Sequence, residues 1–222
     1  MNQPLTAQEI TSAASASVQQ DGNIRTKVRD LTLRALQTRR LETAEIREVV
    51  RAVAEGVSLG AEHRASEVKQ ALSSALSGLD DALAKATQAT HLALQELLSQ
   101  GKDFTDQDMK RAFEDLKISE QAFLDTLGQV ADAAGSKVRQ ELKDVVDHLR
   151  RSGTDTGASV KSILSELSSR LSATLKVSKS AGQEAVQTVS SRLAALASGI
   201  LAGMAEVLRE KSEQGQKHPD QK

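Results

Sequence analysis

The sequence predicts an all-α protein of long amphipathic helices, and three observations carry that prediction. Proline occurs only at Pro4 and Pro219, so the interior holds no residue that breaks a helix by lacking a backbone N–H. Cys, Trp and Tyr are absent and there are three Phe. A core must therefore be built from Leu, Val, Ile and Ala, which suit thin helical bundles better than a thick globular centre. Apolar side chains also recur at helical spacing over long stretches, and that periodicity assigns most of the elements below.

The opening stretch, residues 1–22, reads as a short Ser- and Ala-rich lead-in helix that ends at Gly22-Asn23. It has neither a basic start nor a continuous apolar run, so no secretory signal is expected there. Residues 24–41 read as helix, and Thr43 either caps the next segment or lies within a continuous one. From Ile46 the small or apolar positions run Val50, Val53, Val57, Ala61, Val68, Leu72, Ala75, Leu79, Leu83, Ala86, Ala93 and Leu97. Arg64 and Thr90 stand at the two missing steps. With those filled, 14 steps cover 51 residues, about 3.64 per step, close to a straight α-helix rather than the 3.5 of a left-handed coiled coil. The spacing predicts one arm over about 24–99.

"SQGKDFTDQDMK" interrupts that arm, with Gly101 suited to end one helix and Thr105, Asp106 and Asp108 suited to start the next. The second face comprises Met109, Phe113, Leu116, Phe123, Leu127, Val130, Ala134, Val138, Leu142, Val145 and Leu149, with Glu120 as its exception. It predicts an arm over 105–151. "HLRRSGTDTGASVK" is the second interruption. Arg150 and Arg151 suit a helix C-terminus, Gly153 the residue after it, and Thr154, Asp155 or Thr156 the cap of a third arm over 158–211. That arm's apolar step lapses at Ser178 and Gly182, where a kink is expected. The polar tail 212–222 is expected to be disordered. Together, 23–211 form one long-helix domain of three main arms, packed as an antiparallel bundle or as extended helical hairpins.

Charge is balanced overall, at a formal net charge of -1, which argues against a function dominated by phosphate binding. Residues 23–51 hold eight Lys or Arg against four acids, and residues 103–132 hold eight acids against three bases. These stretches are expected to face each other within one bundle or between copies. The basic stretch has no aromatic residue on which a base could stack, so nucleic acid is not the expected partner.

No catalytic or metal-binding constellation emerges. Asp155-Thr156-Gly157 matches the aspartic protease string but has no flanking strands, and a helix cap accounts for the same residues. Ser66 and Lys69 form an isolated S-x-x-K, and the four His residues form no zinc or di-iron spacing. Asp144 and His148 share one helix turn, too few ligands for a site. "DFTDQD" lacks the Gly and closing Glu of a calcium loop. No cofactor is expected, and the chain is read as non-enzymatic, with a helical enzyme or metal-binding bundle as an alternative.

Near the C-terminus "ASGILAGMA" is uncharged. The run from Leu193 to Ala205 is 13 residues, short of the roughly 20 that a membrane span needs. Leu196, Ile200, Met204 and Val207 form an apolar arc with Gly199 and Gly203 as a ridge at its margin. The expectation is a helix-docking seam in which the two glycines admit another backbone, within the chain or between chains.

The strings "IREVVRAVAEGVSLGA", "SGLDDALAKATQATHLALQEL", "SGTDTGASV" and "ASGILAGMAEVL" resemble an uncharacterised family of proteobacterial helical proteins, a domain of unknown function, over about residues 42–211. That resemblance implies no activity and no catalytic residues. In period and composition the arms are also similar to phasins, which coat polyhydroxyalkanoate granules, and to exchangeable apolipoproteins. The expected role is structural or adaptor, in the cytoplasm, with a second copy or another helical protein as partner. The alternative is coating of an apolar granule or membrane surface.

Overall fold

A computed structural model describes residues 4–20, 22–39, 41–64, 67–99, 106–174 and 196–206, with side chains described for all of these except 97–99, 106–118 and 167–174. The described residues form an all-α fold of α1 (Ala7–Gln19), α2 (Ile24–Gln37), α3 (Thr43–Glu62), α4 (Val68–Ser99), α5 (Asp106–Ala133), α6 (Ser136–Ser152) and α7 (Asp155–Thr174). Residues 196–206 are also helical. The polar tail and the expected kink near Ser178 and Gly182 lie outside the described residues.

Each start has a local cause. Thr6 and Glu9 form a reciprocal capping box on α1, and the Asn23 side chain accepts from the Thr26 N–H at 3.0 Å to cap α2. The backbone bond from Thr6 holds the Glu9 carboxyl below its ordinary value. Gly22, at φ +124°, makes the turn between them in a region that side chains rarely adopt. Gly153, at φ +83°, closes α6.

The first expected arm is not one helix. The chain reverses between α2 and α3 and again between α3 and α4. Neither reversal carries Gly or Pro. The second uses Glu67 in the left-handed region at φ 63°. Arg64, the first lapse in the apolar period, sits at this turn, and its Nε donates to the Val18 carbonyl at 2.7 Å, tying down the C-terminal end of α1. The second arm is likewise divided at Ala134-Gly135, where a Cβ would collide with the Glu62 carboxylate.

Contacts fix the directions. Thr11 meets Ala52, and Ser15 and Val18 lie against Gly60, so α1 and α3 run parallel. Arg51 bonds Gln129, and Glu62 abuts Gly135, so α3 and α5 do too. Asp125 pairs with Arg150 and Asp132 with Lys143, placing α6 antiparallel to α5. Asp80 bonds Thr156 and Gln95 bonds Glu166, so α7 follows α4. The architecture is three side-by-side hairpins, α1/α2, α3/α4 and α5/α6–α7, the helical-hairpin form of the expected arrangement.

One continuous apolar cluster joins α1 through α6 and the 196–206 helix, from Ile10, Val18 and Leu36 through Val53, Leu72 and Leu79 to Leu127, Leu142 and Leu201. Burial at about 25 cal/mol per Å² makes it the main source of stability. The expected pairing of the basic 23–51 stretch with the acidic 103–132 stretch is not the pattern among the described residues. Arg25 pairs with Asp81, Arg29 with Asp30 and Arg39 with Glu48, while Asp125 and Asp132 pair with α6. Among the described residues α2 lies against α4, while Arg51 of the basic stretch meets the acidic stretch at the neutral Gln129.

Candidate functional site: docking seams and a buried acidic junction

The 196–206 helix returns to the bundle and docks. Ala197 and Leu201 are fully buried, with Leu196, Ile200 and Met204 half-buried beside them against the main cluster. The Ser198 hydroxyl donates to the Arg39 carbonyl at 2.8 Å. Gly199 and Gly203 are exposed, and among the described residues a Cβ on either would meet nothing within 4 Å. Within the chain, the helix thus seats on its Ala197–Leu201 side, and the glycine ridge faces outward. Val207 lies outside the described residues.

Close backbone approach occurs instead where α1 crosses α3. A Cβ on Gly56 would press on the Thr11 carbonyl oxygen and lie 2.7 Å from the Ala14 Cβ. One on Gly60 would lie 2.6 Å from the Ser15 carbonyl oxygen and 2.9 Å from the Val18 Cβ. The Thr11 hydroxyl donates across the seam to the Ala52 carbonyl at 3.1 Å. The signal was in the sequence as "GVSLG" on one helix and "TSAAS" on the other, small residues one turn apart on both sides. Gly78 plays the same part for α4, its Cβ position being occupied by the Arg25 carbonyl oxygen.

A polar junction surrounds the start of α7. Asp80, 4 % exposed, accepts from the Asp155 N–H at 2.7 Å, the Thr156 N–H at 3.0 Å and the Thr156 hydroxyl at 2.7 Å. The Thr154 hydroxyl oxygen accepts from the Gly157 N–H at 2.8 Å and donates to Glu120 Oε1 at 2.8 Å. The first N–H groups of α7, orphaned by helix geometry, are all satisfied, two of them by a carboxylate from another helix. Glu120 lies flush against Gly157, where any Cβ would collide with it. Burial pushes the Asp80 carboxyl above its ordinary value, against the hydrogen bonds from Thr156 and Asp155 that oppose the rise. Beside it, Asp81 holds Arg25 through two 2.7 Å hydrogen bonds.

Thr154 is the cap of α7, one of the three residues the sequence offered, and Glu120 is the lapse in the α5 stripe. Asp80 gave no sequence signal beyond a carboxylate among apolar neighbours. Farther along α7, Gln95 donates to Glu166 at 2.9 Å and lies 3.1 Å from the His91 Nε2, which is 3.4 Å from Glu166. Among the described residues no three His, Asp or Glu side chains gather in a geometry that could hold a metal ion. Asp144 accepts from Gln140 at 2.9 Å. No helix among them is long and apolar enough to cross a membrane.

These residues join helices by close backbone contact at glycines and by carboxylates that bond the start of α7. No curated protein and no solved structure matches the chain. A model of a family of unknown function, DUF6781, matches residues 1–210, which takes in α1 and α2 as well as all but the last residue of the 42–211 stretch that carried the resemblance. The chain is a member of the DUF6781 family, a family of unknown function.

Proposed function

We propose that the protein is a non-enzymatic helical interaction module of the cytoplasm, acting as a packed stack of hairpins that associates with a second copy of itself or with another helical protein. The observation that supports this reading is the inward orientation of the apolar side chains among the described residues. Among the described residues, Leu59 and Leu92 are the large hydrophobics left exposed, at 48 % and 44 %. A surface-coating protein in its working form presents a continuous apolar face to the particle instead. Self-association would use the outward side of the 196–206 helix, where Gly199 and Gly203 leave room for another backbone.

Scattering and circular dichroism in solution, repeated with anionic vesicles and with polyester granules, test the proposal. A defined particle whose helicity and mass are unchanged by either surface is the expected result. Flotation with the granules and a rise in helicity would replace it with the phasin-like or apolipoprotein-like reading. Metal recovered in stoichiometric amount from purified protein would replace it with a metal-binding bundle.

A further inference from the structure

The parallel helices α1, α3 and α5 terminate on one side of the stack, and none of them carries a basic residue in its own last turn. The final carbonyls of a helix lack partners inside it and favour a cation nearby. Each of the three takes its cation from farther along the chain. Arg64, in the turn after α3, donates from Nε to the Val18 carbonyl at 2.7 Å and from Nη2 to the Gln20 carbonyl at 3.4 Å, at the end of α1. Lys137, in the first turn of α6, donates to the Glu62 carbonyl at 3.0 Å and to the Arg64 carbonyl at 2.9 Å, at the end of α3. Arg139 turns back on the end of α5, donating from Nε and Nη2 to the Ala134 carbonyl at 3.1 Å and 2.9 Å.

Arg64 is common to two of these contacts. Its side chain holds the first hairpin, and its own carbonyl is held by the third. Gly135, which has no side chain, lets the Glu62 carboxylate close against the α5–α6 turn, so the third hairpin meets the end of α3 where Lys137 reaches it. We infer that Lys137 is a positioning residue for α1: by fixing the backbone of Arg64 it sets how firmly the Arg64 side chain closes the end of α1, and it thereby links the third hairpin to the first. Lys137 is exposed, and a change there reaches α1 along cation–carbonyl bonds without passing through the apolar core.

Hydrogen exchange measured on the full chain tests the inference. Arg64→Met should speed exchange of the amides of residues 16–20 by about two- to fivefold, the worth of one cation at a helix C-terminus whose carbonyls water then takes over. Lys137→Met should speed the same amides by about twofold, in addition to those at the end of α3. In the double variant R64M/K137M the α1 amides should exchange as in Arg64→Met alone, because Lys137 acts on α1 through that side chain. Amides at the centre of α4, around the fully buried Leu76 and Leu79, should keep their wild-type rates in all three proteins. The inference is overturned if Lys137→Met accelerates the end of α3 and leaves residues 16–20 unchanged, if the two effects multiply in the double variant, or if α1 accelerates only in step with the centre of α4.

Discussion

Adding one carbon at Gly56 and one at Gly60 should open the α1–α3 seam, whereas the same change at Gly199 and Gly203 should tighten the protein. At the first pair a Cβ would stand 2.7 Å from the Ala14 Cβ and 2.9 Å from the Val18 Cβ, with backbone oxygens closer still. Carbon atoms in contact settle near 3.5–4.0 Å, so α1 has to retreat by about 1 Å, a gap that forfeits up to about half of the contact attraction. Ile10 and Val18 are fully buried, and each contributes about 1.5–3 kcal/mol by burial, so the retreat costs roughly 2–3 kcal/mol. Loss of the Thr11–Ala52 bond adds about 1 kcal/mol. The two alanines return about 1–2 kcal/mol through helix propensity. The expected net for G56A/G60A is a loss of about 1–3 kcal/mol. For G199A/G203A nothing described within the chain opposes the propensity term, so at protein concentrations too low for self-association a gain of about 1–2 kcal/mol is expected. Urea unfolding followed by far-ultraviolet circular dichroism reads both. Midpoints that shift in the same direction for the two double variants would refute the assignment of close packing to α1–α3 and open space to the C-terminal ridge.

Three further outcomes are expected. Because the Asp80 carboxyl is raised in the folded protein, the stability it contributes is fully present below the unfolded carboxyl value of about 3.9 and is lost as pH rises through the folded value. Wild type should therefore lose stability relative to D80N across that rise and run parallel to it above. A difference that instead grows in favour of wild type with pH would show that the hydrogen bonds outweigh burial. Leu201→Ala should cost about 2–5 kcal/mol if the 196–206 helix is seated as described, and a loss under about 0.5 kcal/mol in denaturant unfolding would unseat it. Arg25 and Asp81 make a well-aligned pair, but the Arg25 side chain is 53 % exposed. Its removal as R25A/D81A, scored in a double-mutant cycle, should reveal a coupling of no more than about 1 kcal/mol that shrinks in high salt.

Periodicity made the helical content legible, and Pro and aromatic composition made the fold class legible, because both depend on local chemistry alone. The reversals at 38–42 and 63–67 were harder to read: neither uses Gly or Pro, Thr43 offered a cap without deciding between a break and a continuous helix, and the apolar step resumes in register at Val68 after a single lapse at Arg64. The step lapses were nonetheless informative. Arg64 marks the end of α3, and Glu120 marks the place where α5 meets the cap of α7. Close approach within the chain needs small residues on both partners, which Gly56 and Gly60 have in Ala14 and Ser15, and the pairing of two such stretches 41 or more residues apart is not a local signal. Asp80 could not be recognised from sequence, since its three donors come from residues separated from it by 75 and 76 positions.

The stacked hairpins also set an order of assembly. The α1–α3 seam joins residues 41 apart, the α7 junction residues 76 apart, and the Ser198–Arg39 bond residues 159 apart. Loop closure grows more costly with each step, and contacts between distant positions form slowly. As the chain leaves the ribosome, the first two hairpins can therefore complete their shared core while the third is still being made. The 196–206 helix, which must find the junction of α2 and α3 from the far end of the chain, closes the structure last.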